Sequence, residues 1–599
     1  MLKLNRVMRR CSMRGFSSVT HTVFNQSSPL ENINLYTADP VLSSSEFILE
    51  THRDRLHKYG ELCGTAANMK HATLAEKNKP TLRQFDSYGR RIDVIDYHDS
   101  YHHLMQQGLR NGVSAFGHAT AEAGSHVARA GLIYMENQLE PGHCCPLVMT
   151  TAAVPPLLKW GRTDLVDKLC TMDYDPRDVP IEEKVAITAG MSMTEKQGGS
   201  DVRANTTLAT PLDPARTGHD ASYTLRGHKW FTSAPMSDIF LTLAMTRGKD
   251  TPSCFIVSRW LPDGTRNTGF RVMRLKDKVG DRANASSEVE YDDAHAVMLG
   301  EEGRGVKTII EMVQSTRLDC VLGSAGGARR ALQQALNHVT HRKSFGSPLI
   351  AHPLMENLLT DLCVESEAHT LTALHLAGAY DSSLHHRNIP AAFLTSGAGP
   401  MVEKLKHTDT EYTEAQELFR IGVAVGKYWV TKRYPGFAYE CMEAFGGNGY
   451  VEDFNMGMLY RQSPLNAIWE GSGNIIALDV LRAHKSFPVL LRDIKLACGM
   501  DPSLDEFISD IEKRVSRAAS ENIMSPMIQR EARRLVDMLA LAMQASVMAR
   551  YGDPTVAEAY IASRIKRDRL NSGLNYGSFV YPSDMSKCII ERNTSGLIK

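Results

Sequence analysis

The spacing of hydrophobic positions changes twice along this chain. From about Glu46 to Lys184 apolar residues recur at helical intervals: Leu104, Leu109, Val113 and Phe116 mark one stretch over Tyr97 to Gly117, and an Ala/Gly-containing stretch follows from Ala119 to Leu139. Near Ala186 the runs shorten. Ser222 to Leu225, Ile239 to Thr246, Cys254 to Ser258, Phe270 to Leu275 and Glu288 to Tyr291 are rich in β-formers and are separated by Gly, Pro, Asp and Asn. After Gly303-Arg304-Gly305 the helical period returns. Leu318, Val321, Leu322, Ala325, Ala328 and Leu332 keep one face, which predicts a long helix over Val306 to Thr340, with further helices over Leu354 to Ala379, Thr413 to Lys432 and Gly473 to Arg482. Near the C-terminus, Ser525 reads as an N-cap and Pro526 as the first helical residue, with Ile528, Leu535, Met538, Leu539 and Ala542 on one face.

These elements predict an α+β multidomain fold: a helical domain over 29–185, an antiparallel β domain over 186–302, a helical bundle over 303–484 and an additional helical domain over 485–599. A chain of 599 residues is too long for one hydrophobic core. Residues 1–28 stand apart. They carry Lys3, Arg6, Arg9, Arg10 and Arg14 and no acid, the composition of a mitochondrial targeting peptide, with Arg14 just before Gly15-Phe16-Ser17-Ser18. The expected location is the mitochondrial matrix; a disordered basic tail is the other reading. Charge narrows the partners, because 68 basic residues balance 68 acidic ones and so point to no polyanion. No apolar run reaches the ~18 to 20 residues of a membrane span. Eleven cysteines are scattered without Cys-x-x-Cys or His/Cys ligand spacing, so a reducing compartment and no structural metal are expected.

Four segments have the residue types for chemistry. In Met191-Ser192-Met193-Thr194-Glu195-Lys196-Gln197-Gly198-Gly199-Ser200-Asp201, paired glycines allow close backbone approach to a ligand and Thr194 and Ser200 supply hydroxyls, although a plain turn has the same composition. In Gly227-His228-Lys229-Trp230-Phe231-Thr232-Ser233, strand alternation puts Trp230 and Phe231 on opposite faces, one for the core and one for a cofactor or solvent. Arg342 in Arg342-Lys343-Ser344-Phe345-Gly346 suits a phosphate, or is a solvated charge at a helix end. In Ile468-Trp469-Glu470-Gly471-Ser472-Gly473-Asn474, a carboxylate beside a large aromatic can be desolvated into a base, and Ser472 and Asn474 stand at a helix N-terminus that favours an anion; a cap with an incidental acid is the alternative. Upstream, Phe445-Gly446-Gly447-Asn448-Gly449-Tyr450 lacks the strand-turn-helix setting of a dinucleotide fingerprint.

Taken in order over roughly Leu56 to His484, these motifs resemble the acyl-CoA dehydrogenase family, and their wording is closest to its AidB-like branch. The resemblance implies a flavoenzyme with FAD, in which Met191, Thr194 and Ser200 border the flavin ring with Phe231 and Ser233 on the adjoining strand, Ser233 beside the reactive nitrogen. It implies that Arg342 and Phe345 reach the FAD of a neighbouring subunit, that the turn at Gly446 and Gly447 belongs to the same cofactor site, and that Ser472 and Asn474 contact the phosphate side. A homodimer or homotetramer follows. Glu470 takes the place of the catalytic base and Arg317 that of a site-facing arginine. The family reaction removes a proton next to a thioester carbonyl while hydride passes to flavin. The carbonyl is polarised by a backbone N–H, here that of Glu470, and by a flavin ribose hydroxyl. Electrons then go to an electron-transfer flavoprotein.

One departure is the strand: where the family has tryptophan over the flavin, alignment on Lys229 places Phe231, with Trp230 one residue early. The rival function is an AidB-like flavoprotein that binds DNA in an alkylation-stress response and has weak dehydrogenase activity. That role needs a basic last domain. Residues 485–599 hold 17 Lys/Arg against 14 Asp/Glu, and Arg564-Ile565-Lys566-Arg567-Asp568-Arg569 is their one dense basic cluster, so nucleic-acid binding is not the favoured reading.

Overall fold

The computed structural model describes residues 21–120, 122–384, 409–566 and 575–597; most of the expected targeting peptide, and Arg567 and Arg569 of the basic cluster, lie outside them. Helices fill most of residues 40–169. The helical spacing hides one hairpin, β1 (Thr81–Phe85) and β2 (Arg91–Asp96), paired antiparallel with Thr81 opposite Asp96. Alternate β1 residues face solvent, so no continuous apolar run announces it. Two helices of this region frame the site. Every residue of α1 (Ser125–Leu139) is buried, and α2 (Cys144–Lys159) continues through Pro155 and Pro156. Those prolines fall in its last two turns, where only two intrahelical N–H donors are lost.

Seven strands follow: β3 (Ala189–Ser192), β4 (Leu208–Pro211), β5 (Ser222–Ser233), β6 (Ile239–Thr246), β7 (Ser253–Ser258), β8 (Phe270–Leu275) and β9 (Ser286–Leu299). Pairing runs β4–β5–β9–β7–β6 and returns to β4, so the sheet closes on itself, with β3 added beside β6 and β8 beside β9. The pairs are antiparallel except that β3 and β4 each run parallel to β6. Strand β6 is buried on both faces, and its period of two sends Phe240 and Ala244 into the closed sheet while Ile239, Leu241 and Leu243 pack with Ala153 and Leu157 of α2. This second face ties the β domain to the helices.

The bundle contains α3 (Gly305–His341), α4 (Pro353–Leu384), α5 (Asp409–Ala444) and α6 (Gly473–Arg482), and α7 (Pro526–Tyr551) starts at its Ser525 cap. Helix α3 is buried almost all round because α1, α2, α4 and α5 all pack on it. Helix α5 runs past Lys432, where the sequence pattern fades, and through Pro435. The described residues of 485–597 share the core of the bundle. Val536, Leu539 and Met543 of α7 belong to the same apolar cluster as Leu376 of α4 and Val425 of α5. The joint is also ionic: Arg564 Nη2 lies 2.5 Å from Asp361 Oδ1 and 3.0 Å from Glu365 Oε2, while Arg433 Nε lies 2.8 Å from Glu365 Oε1. Burial pushes the Glu365 carboxyl up, but Arg433 and Arg564 hold it well below the usual carboxylate range.

Candidate active site

Glu470 occupies a turn between two short helical pieces, with its backbone at φ +57° and Gly471 after it at φ +102°. A non-glycine residue in that region costs roughly 1–3 kcal/mol and persists only when its surroundings fix it. Here two cations do so. Lys427 Nζ of α5 donates to the carbonyls of Trp469 at 2.7 Å and Gly471 at 2.6 Å, and Arg317 Nε of α3 donates to the carbonyl of Glu470 at 3.0 Å. Arg317 is oriented in turn by Asp479 of α6, at 2.7 Å, which Arg420 also holds at 2.7 Å. Trp469 is anchored through its indole N–H to Asn466 Oδ1 at 2.8 Å.

With three successive carbonyls captured, the Glu470 N–H has no acceptor among the described residues. The carboxyl's Oε2 is buried and has no hydrogen-bond partner among the described residues. Burial raises its pKa above the ordinary value of 4.5, opposed by the Thr316 hydroxyl and by Arg317 and Lys427. Burial also pushes Lys427 down to about 8. The arrangement is a carboxylate with one free oxygen beside an unused N–H donor.

The flavin-loop candidates Met191, Thr194 and Ser200 lie at the end of β3 and in the turn beyond it. The loop is held by a fully buried pair, Lys229 Nζ 2.8 Å from Glu195 Oε1, with Thr206 and Thr207 donating to the same carboxylate. Trp230 N–H donates to Thr194 O at 2.8 Å and joins loop to strand. Strand β5 departs from simple alternation here. Three steps on β5, from Lys229 to Thr232, face two on β9, from Val289 to Ser287, so Trp230 and Phe231 sit in a bulge and neither enters the core. The expectation of opposite faces is therefore corrected: Lys276 Nζ lies 3.2 Å from the Trp230 ring centroid and 4.8 Å from that of Phe231. Beyond the bulge, Ser233 is in hydrogen-bonding reach of the Cys145 thiol, which also feels the Glu470 charge. Ser233 of β5 and the Glu470 turn thus both act on Cys145, at the start of α2.

Arg342, Phe345, Gly446 and Gly447 gather elsewhere. They lie past the far end of α3, about 37 Å from Arg317 by the rise of 25 helical residues. Arg342 Nη1 donates to Asn25 O at 2.8 Å, and Phe445 stacks on His338 to bring the diglycine turn alongside. Phe345 is 99% exposed at the tip of a two-strand turn, in the left-handed region, and Tyr450 is 89% exposed nearby in sequence. One chain does not bring this group to Glu470.

Comparisons with known proteins divide the chain in the same order. Family models match as Adaptive response protein AidB N-terminal domain over residues 25–176, Acyl-CoA dehydrogenase, middle domain over 190–294, and Acyl-CoA dehydrogenase, C-terminal domain over 303–398 and 400–484. AidB of Escherichia coli is 38% identical over 551 residues, covering 90% of this chain and 94% of that protein. The chain belongs to the acyl-CoA dehydrogenase family. Its similarity places it with AidB, and the family's cofactor is FAD. Among solved structures, ACDH-11 of Caenorhabditis elegans in complex with C11-CoA superposes with a TM-score of 0.76 at 24% identity, covering 98% of this chain and 95% of that one. An acyl-CoA dehydrogenase of Bacillus anthracis complexed with FAD gives a TM-score of 0.64 at 15% identity, over 92% and 88% of the two chains, and shares the fold.

The residues present fit the family's FAD. Ser472 starts α6 without capping its N–H groups by its own side chain, and a cavity of about 450 Å³ opens there, lined by Lys432, Ser472, Gly473, Asn474 and Arg533 among others. Two cations beside free helix N–H groups suit a diphosphate. Positions 446 and 447 are open, with nothing within 4 Å of a Cβ added at either. Lys427, Asp479, Thr316, Cys145 and Arg533 are site residues that motif reading misses. A lysine in the apolar run Ile421 to Val430 was the visible sign for Lys427. For nucleic acid, the basic cluster is weaker than its sequence: Arg564 is buried against Asp361 and Glu365, and Lys566 lies 3.8 Å from Asp501.

The turn's dependence on Lys427 gives a prediction. Lys427→Met keeps the side chain's length and removes both carbonyl contacts, so the protein should retain FAD while its flavin is reduced on the order of 100-fold more slowly, the cost of ~1 Å misplacement. Rapid-mixing absorbance would show this, and a variant reduced at the parent rate would mean that the lysine does not hold the base.

Proposed function

We propose that this chain catalyses α,β-dehydrogenation of an acyl-CoA thioester with Glu470 as the base. The observation that carries the reading is the Glu470 carboxyl itself, its Oε2 buried and unpartnered among the described residues, on a turn that α3 and α5 pin from both sides. A base for a weakly acidic proton needs a raised pKa and a fixed position, and the buried carboxyl on its pinned turn provides both. The unused N–H of Glu470 is available to a thioester carbonyl, and a donor there makes the adjacent proton acidic. Bound FAD supplies the hydride acceptor. Met191, Thr194, Ser200, Phe231 and Ser233 would line its ring, and Ser472, Asn474, Lys432 and Arg533 would hold its phosphates.

The separation of Arg342, Phe345, Gly446 and Gly447 from Glu470 supports a second copy of the chain that completes each cofactor site, in a homodimer or homotetramer. An electron-transfer flavoprotein is the acceptor in this reading, and the basic residues 1–28 support a mitochondrial matrix address. The acyl-CoA bound in the ACDH-11 structure supports the substrate class.

Purified holoenzyme should bleach near 450 nm on anaerobic addition of an acyl-CoA from a panel of short, branched and long chains, a wavelength set by oxidised flavin at ~450 nm. Because the base works ionised and burial raises its pKa above 4.5, the reduction rate should fall with decreasing pH through a value above 4.5. Thr316→Val removes a hydrogen bond that lowers the pKa and should move this acid limb to higher pH. No bleaching with any chain would end the reading.

A further inference from the structure

The bulge in β5 has a second effect, on what stands opposite Ser233. Before the bulge Lys229 pairs with Val289; after it Thr232 pairs with Ser287 and Ser233 with Ser286. Had the one-to-one pairing of Lys229 with Val289 continued without a bulge, Ser233 would face Ala285, a methyl group. The bulge brings a hydroxyl there instead, and the two side chains lie 3.5 Å apart, Oγ to Oγ. Ser286 receives a further contact from the loop after β8, where Lys278 Nζ donates to Ser286 Oγ at 3.1 Å and to Asn284 O at 2.7 Å. The loop is fixed to the strand by Lys276 N–H donating to Ser286 O at 2.7 Å. A line of hydrogen-bonding groups therefore runs from an ammonium, through one hydroxyl, to the hydroxyl at the end of β5.

Lys278 is half-buried and faces Asp281, Glu140, Glu76 and the Cys145 thiol. With several acids around it, its charge is locally balanced. Its specific effect on Ser233 is then directional: either serine hydroxyl can donate to the other, and an ammonium donating to Ser286 Oγ favours the arrangement in which Ser286 donates, leaving the Ser233 proton for another acceptor and the Ser233 oxygen also within reach of the Cys145 thiol. Charge-assisted donors of this kind are about twice as strong as neutral ones.

We propose that Lys278, acting through Ser286, is a positioning residue that orients the flavin-facing hydroxyl of Ser233 and so raises the electron affinity of the flavin edge that this hydroxyl meets. The proposal rests on the reading that Ser233 borders the flavin's reactive nitrogen. A hydrogen-bond donor held toward that edge stabilises the negative charge which gathers there on reduction or on nucleophilic addition, and a donor free to rotate stabilises it less.

Sulfite, which adds to flavin at this nitrogen, is the probe, and the full-length FAD-loaded protein is titrated with it while the flavin absorbance is followed. Lys278→Met and Ser286→Ala should each weaken sulfite binding about tenfold, and lower the two-electron midpoint potential by the equivalent ~30 mV. Lys278→Arg, which keeps a donor, should stay within about threefold of the parent, whereas a merely structural lysine would not be rescued in this readout. Ser233→Ala should weaken sulfite at least as much as either. If Ser233→Ala weakens it and both other variants stay within about twofold of the parent, the relay through Lys278 is overturned while the placement of Ser233 stands. If Ser233→Ala changes nothing, the placement falls and the proposal with it. Should Lys278→Met fail to retain flavin, Ser286→Ala decides alone, since it removes the bridging oxygen and leaves the lysine among its acids.

Discussion

Glu470→Gln should give a yellow protein that holds FAD as the parent does and whose flavin bleaches far more slowly with every acyl-CoA that reduces the parent. The substitution keeps the size of the side chain. It also leaves the turn intact, because Lys427 and Arg317 hold backbone carbonyls and not the carboxyl. What is lost is the proton acceptor, and general-base contributions of about 10²- to 10⁴-fold set the expected fall in the rate of flavin reduction. Substrate binding should change little, since the N–H proposed to meet the thioester carbonyl stays. Anaerobic rapid mixing separates the two: unchanged spectral perturbation on ligand binding, with reduction slowed at least ~100-fold. A variant that bleaches at the parent rate would remove Glu470 from the chemistry.

The second large effect concerns stability. Arg564→Met leaves the carboxylates of Asp361 and Glu365 facing each other with one cation fewer in a buried joint. Removing one partner of a buried ionic group costs roughly 3–5 kcal/mol. The joint ties residues 485–597 to α4, so unfolding in urea should begin there and at lower denaturant. The pH dependence has a definite sign. Glu365 is held below the ordinary carboxylate range, so its contribution is complete above the unfolded value of ~4.3 and is lost as pH falls. The gap between parent and variant should be widest near neutrality and should narrow in acid. Equal urea midpoints at neutral pH would show that the arginine adds nothing there.

How far the sequence foretold this molecule depended on the range of the forces involved. Helix α6 was legible to the residue, and α3 to within one or two, because each starts at a glycine and apolar positions repeat along them. Helix α5 was read short because Pro435 breaks the local rule while packing sustains the helix. The hairpin β1–β2 was missed for the opposite reason, since its solvent-facing alternate residues give it no apolar run. At the site, Glu470, Ser472 and Asn474 stand in one contiguous motif, and their types carried the reading. Lys427 could not be read in the same way: its ammonium serves carbonyls 42 and 44 residues away. Nor could Arg564, whose carboxylate partners are some 200 residues upstream. The bulge in β5 is a property of two strands together, so alternation along one strand assigned Trp230 and Phe231 wrongly.

The pinning of the Glu470 turn makes it a gauge of helix register. Its three carbonyls are read by one cation from α3 and one from α5, so sliding either helix along the other by even one residue's rise, ~1.5 Å, would break a contact and release the strained residue. The interface between those helices is therefore constrained well away from the chemistry. At Gly327, a single added carbon would stand 2.3 Å from the Tyr434 hydroxyl oxygen of α5. Gly327 on this seam has a mechanical duty: it sets the spacing at which the base is held.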